Sequence, residues 1–509
     1  MAVDDRMEES AGAPRTAPRI SLRHGVMQAG PLALAGILAN GGSVIVTIVL
    51  ARVLVSEDYG TLNQLLGVFF VVSTPGSALL VAVVRRVASW QESERKLADW
   101  AKALHRRAGW ALGGFAVVLA AAGPALAALL GRNDPAGLDA IALAGAVWVA
   151  LCVDRGLLQA RRQYRTLSWN LVCEGALRTA CMVTAGLAGL GVTGVAAGVL
   201  AAELATSAQA RMMAVRPWRR SGEWARRSGE WARRSGERAR RSGERARRSG
   251  ERARREGWAL RRDVRRWTLV RGRRALGHVV GGGTFLSRRD VVAAVVALAA
   301  VALLQNVDVI VMGKEGPHQA GAYAAVSVSS KVLVFLALVV GGYLLPEAAH
   351  AWREGGQALR QLWVALGLVE VPGVLLAGIA AVAPRRFLAT FFSARYVGAA
   401  PAFLPLAGAM ALLSLVVLVT MYLLAIGDRR VAVLLVVAGA AATAAVVLAH
   451  GSPRSTASAD LAVQGSLAVL ALAELAVAHR GRSVRGPAVD LVASAGGPGM
   501  PDPRRAESL

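Results

Sequence analysis

Only three cysteines, Cys152, Cys173 and Cys181, occur in 509 residues, and each falls inside an apolar segment. Their number and spacing offer no disulfide framework and no thiolate metal site, which leaves them as small packing residues. Charge is scarce too. Asp, Glu, Lys and Arg make up 18% of the chain against 55% hydrophobic residues, and mean hydropathy is +0.45. That balance excludes a string of soluble domains. Lysine is nearly absent, with Lys96, Lys102, Lys314 and Lys331 standing against 55 arginines. Together with abundant Ala, Val and Gly, this points to a GC-rich bacterial genome, so codon usage accounts for much of the arginine bias. No paired-carboxylate, metal-ligand or nucleophile–base constellation is visible, which argues against an enzyme and calls for no cofactor.

What the chain has in abundance is apolar length. Runs occupy 31–54, 61–84, 107–130, 137–160, 169–190, 193–213, 290–313, 319–346, 361–384, 400–425, 429–450 and 459–479. About 20 apolar residues span a ~30 Å hydrocarbon core. Lipid leaves no partner for open backbone groups, so each run is expected to be a helix. The sequence therefore predicts an all-α polytopic membrane protein of about 12 helices. Its organisation is a tail at 1–30, a six-helix bundle at 31–213, a basic linker at 214–289, a second bundle at 290–479 and a tail at 480–509. Asp4, Asp5, Glu8 and Glu9 make the first 25 residues a poor signal peptide, so the first helix is expected to be retained.

Basic residues near helix ends mark the cytoplasmic side. The loop after the second run holds Arg85, Arg86, Arg95, Lys96, Lys102, Arg106 and Arg107, and the loop after the fourth holds Arg161, Arg162 and Arg165. Alternate loops are poorer, apart from Arg385, Arg386 and Arg395 after the ninth run. The balance predicts a bacterial cytoplasmic membrane protein with both termini and the central linker in the cytoplasm. Residues 211–289 contain 26 arginines and 7 acidic residues, a surplus of 19 within a chain total of +26. Five copies of RRSGE(W/R)A run from Arg219 to Ala253, with Trp224 and Trp231 in the first two. A coiled coil needs two apolar positions per heptad, and the repeated Gly disfavours a helix. The reading is a tandemly expanded solvated linker attracted to anionic lipid headgroups. Nucleic acid is not expected as a partner, because no reader module accompanies the charge.

The two halves echo one another. ARVLVSEDYG near the first turn has Tyr59 beside Gly60, and NVDVIVMG…GAYAAVSVSSK…LLPEAA has Gly321 two residues before Tyr323. Corresponding runs start on the same side, so the halves are expected to be parallel repeats. These stretches, with RFLATFFSARYVGAAPAFLPLAGAM, resemble the polysaccharide-exporter (Wzx-type) branch of the multidrug/oligosaccharidyl-lipid/polysaccharide flippase superfamily. The resemblance covers roughly residues 25–480 and is carried by diffuse motifs. It implies two six-helix bundles facing a central cavity, and alternating-access flipping of a polyprenyl-diphosphate-linked oligosaccharide to the outer leaflet.

Such transport makes and breaks no covalent bond. It needs cations for the phosphates and acids that couple to H+ or Na+, because an intramembrane charge is costly and marks function. Arg178 and Lys331 are the substrate-binding candidates. Asp308, Glu203 and Glu370 are the ion-coupling candidates, with an outer-end cap the alternative for Asp308 and static pairing with Arg178 or Lys331 the alternative for Glu203 and Glu370. Glu174 lies one turn before Arg178, which makes an intrahelical ion pair the plainer reading. Asp154 and Arg155 are expected to face headgroups. Trp148, Trp169 and Trp363 read as interface anchors. Pro75 and Val371-Pro372-Gly373 are expected to kink their helices. The alternatives are an ion-coupled small-molecule exporter of the same fold, a peptidoglycan-precursor flippase, and a membrane polysaccharide polymerase or glycosyltransferase. The last expects a sizeable outer loop, and the longest here is about 385–399.

Overall fold

A computed structural model describes residues 42–43, 45–88, 93–132, 134–161, 163–214, 288–353 and 358–484. The heptad linker, with its expected lipid attraction, and both tails lie outside the described residues. Every regular element among the described residues is helical. The first half holds α1 (residues 45–53), α2 (Ser56–Ser73), α3 (Pro75–Ala88), α4 (Glu94–Leu129), α5 (Ala136–Ala160), α6 (Tyr164–Leu187) and α7 (Gly191–Ala214). The second holds α8 (Arg288–Glu315), α9 (Pro317–Arg353), α10 (Ala358–Val382), α11 (Pro384–Phe391), a 3-10 turn η1 (Ala394–Ala399), α12 (Ala400–Ile426), α13 (Arg430–Val447) and α14 (Pro453–Val484).

Ten stretches among the described residues are long and apolar enough to cross a membrane, which makes the chain multi-pass. Two of the twelve expected spans are not among them. α1 is described only in part, and Glu174 and Arg178 lower the hydropathy of α6. α2 and α3 form one span, Ser56–Val84, interrupted at Thr74 where Pro75 follows. Proline lacks an N–H and restricts the residue before it, so the expected break occurs there. At Pro372, by contrast, α10 is unbroken. α4 has 36 residues and is about 54 Å long at 1.5 Å per residue, well over a ~30 Å core. Its charged first turns were not read as helix. Leu97, Trp100, Ala101 and Leu104 recur at helical spacing, and the last three dock on Val83 and Leu157.

The packing repeats between halves. α2 and α3 lie on α5, and α4 lies on α5; in the second half α9 and α10 both lie on α12. Apolar faces of α4 and α10, with Val117, Val118, Val371, Val374 and Leu375, are exposed as a lipid-facing surface would be.

The halves meet along a seam where the two echoed motifs touch. A Cβ on Gly60 would stand 2.6 Å from the Gly321 backbone nitrogen, and one on Gly321 would overlap the Ser56 carbonyl. Only glycine permits so close an approach. Gln64 continues the seam, donating to the carbonyls of Leu130 (3.1 Å) and Ile310 (3.0 Å). Beside it, Arg52 donates to the carbonyls of Thr390, Phe391 and Phe392 at the end of α11. Arg395 and Tyr396 in turn donate to the Ala51 carbonyl of α1. Each half thus caps carbonyls that the other half's helix end leaves over. Arg395, which dissented from the charge pattern, is held there by this clasp. The expected loop at 385–399 is itself ordered, with Leu388 of α11 buried and Arg385 and Arg386 exposed. Near the same end, the Asp134 carboxyl accepts from Ala136 N and Thr193 Oγ1, each at 2.9 Å. The Ala136 N–H chiefly holds it below the usual carboxylate range, with the Thr193 hydroxyl and Arg132 adding to the effect.

Candidate functional site

Beyond the seam the halves diverge and enclose a cavity of about 290 Å³. Ser43, Phe69, Ser73, Thr74, Trp148 and Leu171 line it from the first half, and Leu298, Val301, Gln305 and Phe335 from the second. Phe70 and Phe335 meet across the divide with ring centroids 5.5 Å apart. The charged end of this chamber is formed by Arg155, Glu174 and Arg178.

These three belong to a buried network of four charges. Arg155 of α5 donates Nε–H to Asn170 Oδ1 at 2.9 Å and pairs with Glu174 Oε2 through Nη2. Glu174 Oε1 accepts from Trp148 Nε1 at 3.1 Å and from Arg178. Arg178 continues to Glu203 of α7, with Nε 3.0 Å from Oε1 and Nη2 on the same oxygen. Its guanidinium lies 5.3 Å from the centre of the Phe69 ring, within cation–π range. Asn170 is fixed by Gln209 Oε1 at 2.9 Å. The rigid fork of arginine suits this bridging. Arg178 keeps 17% of its side chain exposed, whereas Arg155 keeps 4%. Arg178 is therefore the accessible cation of the chamber.

Several expectations are corrected here. Asp154 and Arg155 do not face headgroups. Both are buried, and Asp154 Oδ1 lies 2.8 Å from His105 Nε2. The other ring nitrogen of His105 lies 2.7 Å from the Ala101 carbonyl, so both nitrogens face acceptors. Trp148 is a cavity wall holding Glu174 rather than an interface anchor, while Trp169 and Trp363 are exposed as an anchor requires. The Glu174–Arg178 pair forms as expected but is one link of the larger network.

Lys331 sits elsewhere. It is buried in the second half, with Nζ 3.3 Å from Asp308 Oδ1 and 3.4 Å from Asn306 Oδ1. Asp308 is fully buried rather than an outer-end cap, and its Oδ2 accepts from Tyr323 and Ser327, each at 3.1 Å. Lys331 is absent from the residues that line the cavity. Asp460 of α14 adjoins this pair electrostatically, and Gln464 donates to its Oδ1 at 3.2 Å. Its Oδ2 and Gln464 Oε1 are buried acceptors with no hydrogen-bond partner. Asp460 was missed because it stands at the start of the last apolar run, where a charge reads as flanking. Gln464, one turn on along the same face, was the available signal. Glu370 joins neither cluster, and its Oε1 accepts from Ser414 Oγ at 3.1 Å.

The sequence matches no protein-family model and no curated protein. The fold does match solved structures. An inward-facing multidrug resistance MATE family transporter of the MOP superfamily aligns with TM-score 0.57 at 11% identity, covering 87% of this chain and 96% of that one. The lipid II flippase MurJ in an inward closed conformation aligns with TM-score 0.59 at 9% identity, covering 88% and 87%. A MOP superfamily transporter from Pyrococcus furiosus, described by the reverse polarity of its binding pocket, gives 0.52 at 11% identity over 87% and 93%. At these identities the likeness establishes the fold.

Proposed function

We propose that this chain is a membrane transporter that flips a polyprenyl-diphosphate-linked oligosaccharide between leaflets by alternating access. The observation carrying this reading is Arg178, partly exposed at the charged end of a largely apolar chamber between the two halves. An apolar chamber accepts polyprenyl chain, and a guanidinium accepts phosphate oxygens in a forked geometry. Arg155 supports Arg178 by holding Glu174. The charge pattern of the loops supports an outward-facing seam, which on this reading leaves the chamber on the cytoplasmic side, where lipid-linked sugars are assembled. The likeness in fold to both MATE transporters and MurJ supports a carrier of this kind. Glu174 on the chamber wall, with Glu203 buried behind Arg178, favours one second reading, an exporter of organic cations.

A deletion strain separates the two. Under the flippase reading, lipid-linked glycan accumulates on the cytoplasmic face and the plasmid-borne gene restores export. Normal glycan export with raised sensitivity to cationic dyes would shift the assignment to the exporter.

Lys331, Asp308 and the newly located Asp460 make the second half's cluster the candidate for ion coupling to H+ or Na+. Lys331→Ala leaves Asp308 buried without its cation, and removing one partner of a buried pair costs about 3–5 kcal/mol. Thermal stability and transport are both expected to fall. An unchanged melting temperature and transport rate would remove Lys331 from the site.

A further inference from the structure

We propose that the chamber takes up a proton on Glu203 as it binds a diphosphate-class anion, so that proton and substrate bind together rather than compete. This rests on the anion reading of the chamber given above. Its warrant is the charge balance and hydrogen bonding of the four-residue network.

Arg155 and Arg178 oppose Glu174 and Glu203, and the four charges cancel. A dianion arriving at Arg178 leaves the site two negative charges in excess in a poorly hydrated chamber, where like charges repel strongly. The cheapest correction is a proton, and the network offers one place for it. Both oxygens of Glu174 are engaged, Oε1 by Trp148 and Arg178 and Oε2 by Arg155. Glu203 uses only Oε1, which takes both contacts from Arg178, while its Oε2 is buried with no partner. The carboxyl is 0% exposed. A proton on Oε2, the oxygen that no arginine holds, removes the negative charge of a buried carboxylate and loosens the hold of Glu203 on Arg178, releasing the guanidinium toward the anion. The other groups facing Glu203 are Glu174, Arg155 and the Cys152 thiol. The two carboxylates repel and thereby favour the proton, whereas Arg155 opposes it and is itself already paired to Glu174.

Linkage fixes the sign. If the anion favours protonation of Glu203, protonation favours the anion by the same factor. Affinity is then highest at low pH, and Kd rises by up to about tenfold per pH unit for one proton taken up.

The test uses the full chain in detergent, titrated calorimetrically with methanedisulfonate, a diphosphate isostere that does not titrate near neutral pH. Two buffers of different ionisation enthalpy report the proton count. Uptake approaching one proton per anion is expected for the native protein, with Kd rising with pH. Glu203→Gln is expected to bind the same probe without uptake and with Kd nearly independent of pH. Binding to the native protein without uptake overturns the proposal, as does uptake undiminished in Glu203→Gln. If Glu203→Gln does not fold, the native pH dependence decides: a rising Kd supports the proposal and a flat one overturns it. If neither methanedisulfonate nor inorganic pyrophosphate binds the native protein, the anion reading of the chamber falls and takes the proposal with it.

Discussion

Arg178→Ala is expected to abolish transport and to cost the fold about 3–5 kcal/mol, the usual penalty when a buried ion pair loses one partner. The side chain is the shared link between Glu174 and Glu203, so its removal strands Glu203, which is 0% exposed, and leaves Glu174 held by Arg155 and Trp148 alone. Stability loss alone would also stop transport, and a second variant separates the two effects. Arg178→Gln combined with Glu203→Gln removes both charges of one pair and replaces them with amides of similar size. Exchanging both partners of a buried pair is far milder than removing one. The double variant is therefore expected to recover most of the thermal stability seen by fluorescence-detected chromatography, while transport per folded molecule stays at background. Recovery of transport along with stability would reduce Arg178 to a structural residue. Arg178→Lys is expected to be poor as well, because an ammonium cannot reproduce the planar fork that reaches two carboxylates.

The second large effect is expected at the seam. Gly60→Val places a branched side chain where even a Cβ would meet the Gly321 nitrogen at 2.6 Å and the Ala320 Cβ at 2.7 Å. The obstruction is backbone, which cannot rotate away. Overpacking of this sort costs about 1–3 kcal/mol where the surroundings can yield. A carrier can yield by holding the two halves apart at this end. Gly60→Val is thus expected to trap the seam open, lowering transport by an order of magnitude or more while leaving the protein folded. Asn63, 6% exposed one turn further in, supplies the readout. In a background lacking the native cysteines, Asn63→Cys should react slowly with a membrane-impermeant maleimide. Adding Gly60→Val should make it react quickly. Slow labelling in both, with normal transport, would show that the seam is not a gate.

How much of this was legible in the sequence follows from what each signal depends on. Helices in lipid announce themselves by length and hydropathy, so the all-helical, multi-pass fold could be read directly. Pro75 marked the break between α2 and α3 because its effect is local. Pro372 did not break α10, so whether a proline interrupts a membrane helix is not set by the residue alone. The Glu174–Arg178 pair was readable from a one-turn spacing. Its extension to Glu203, 25 residues on, was open only as one alternative, and the link to Arg155, 19 residues back from Glu174, was not legible at all. Asp154 and Arg155 looked like headgroup residues because hydropathy locates the end of an apolar run and is blind to a neighbour. The unread neighbour was the charged beginning of α4, which covers that end and carries His105. Lys331 stood out as an unusual charge in an apolar helix. Its attachment to Asp308 depends on how α8 and α9 pack.

The cancellation of charge around Arg178 has an electrical meaning. A transmembrane potential does work only on net charge that moves through it, about 2.3 kcal/mol per elementary charge per 100 mV. With Arg155, Glu174, Arg178 and Glu203 travelling as one neutral group, the empty first half reorients without moving net charge at this site. At this site membrane voltage then acts on the loaded passage, where on the proposed reading the cargo's own phosphates supply the charge. On the proposed reading, a membrane negative inside favours outward carriage of the anion, and any voltage dependence in the return of the vacant protein must arise outside this network, as at Lys331, Asp308 and Asp460.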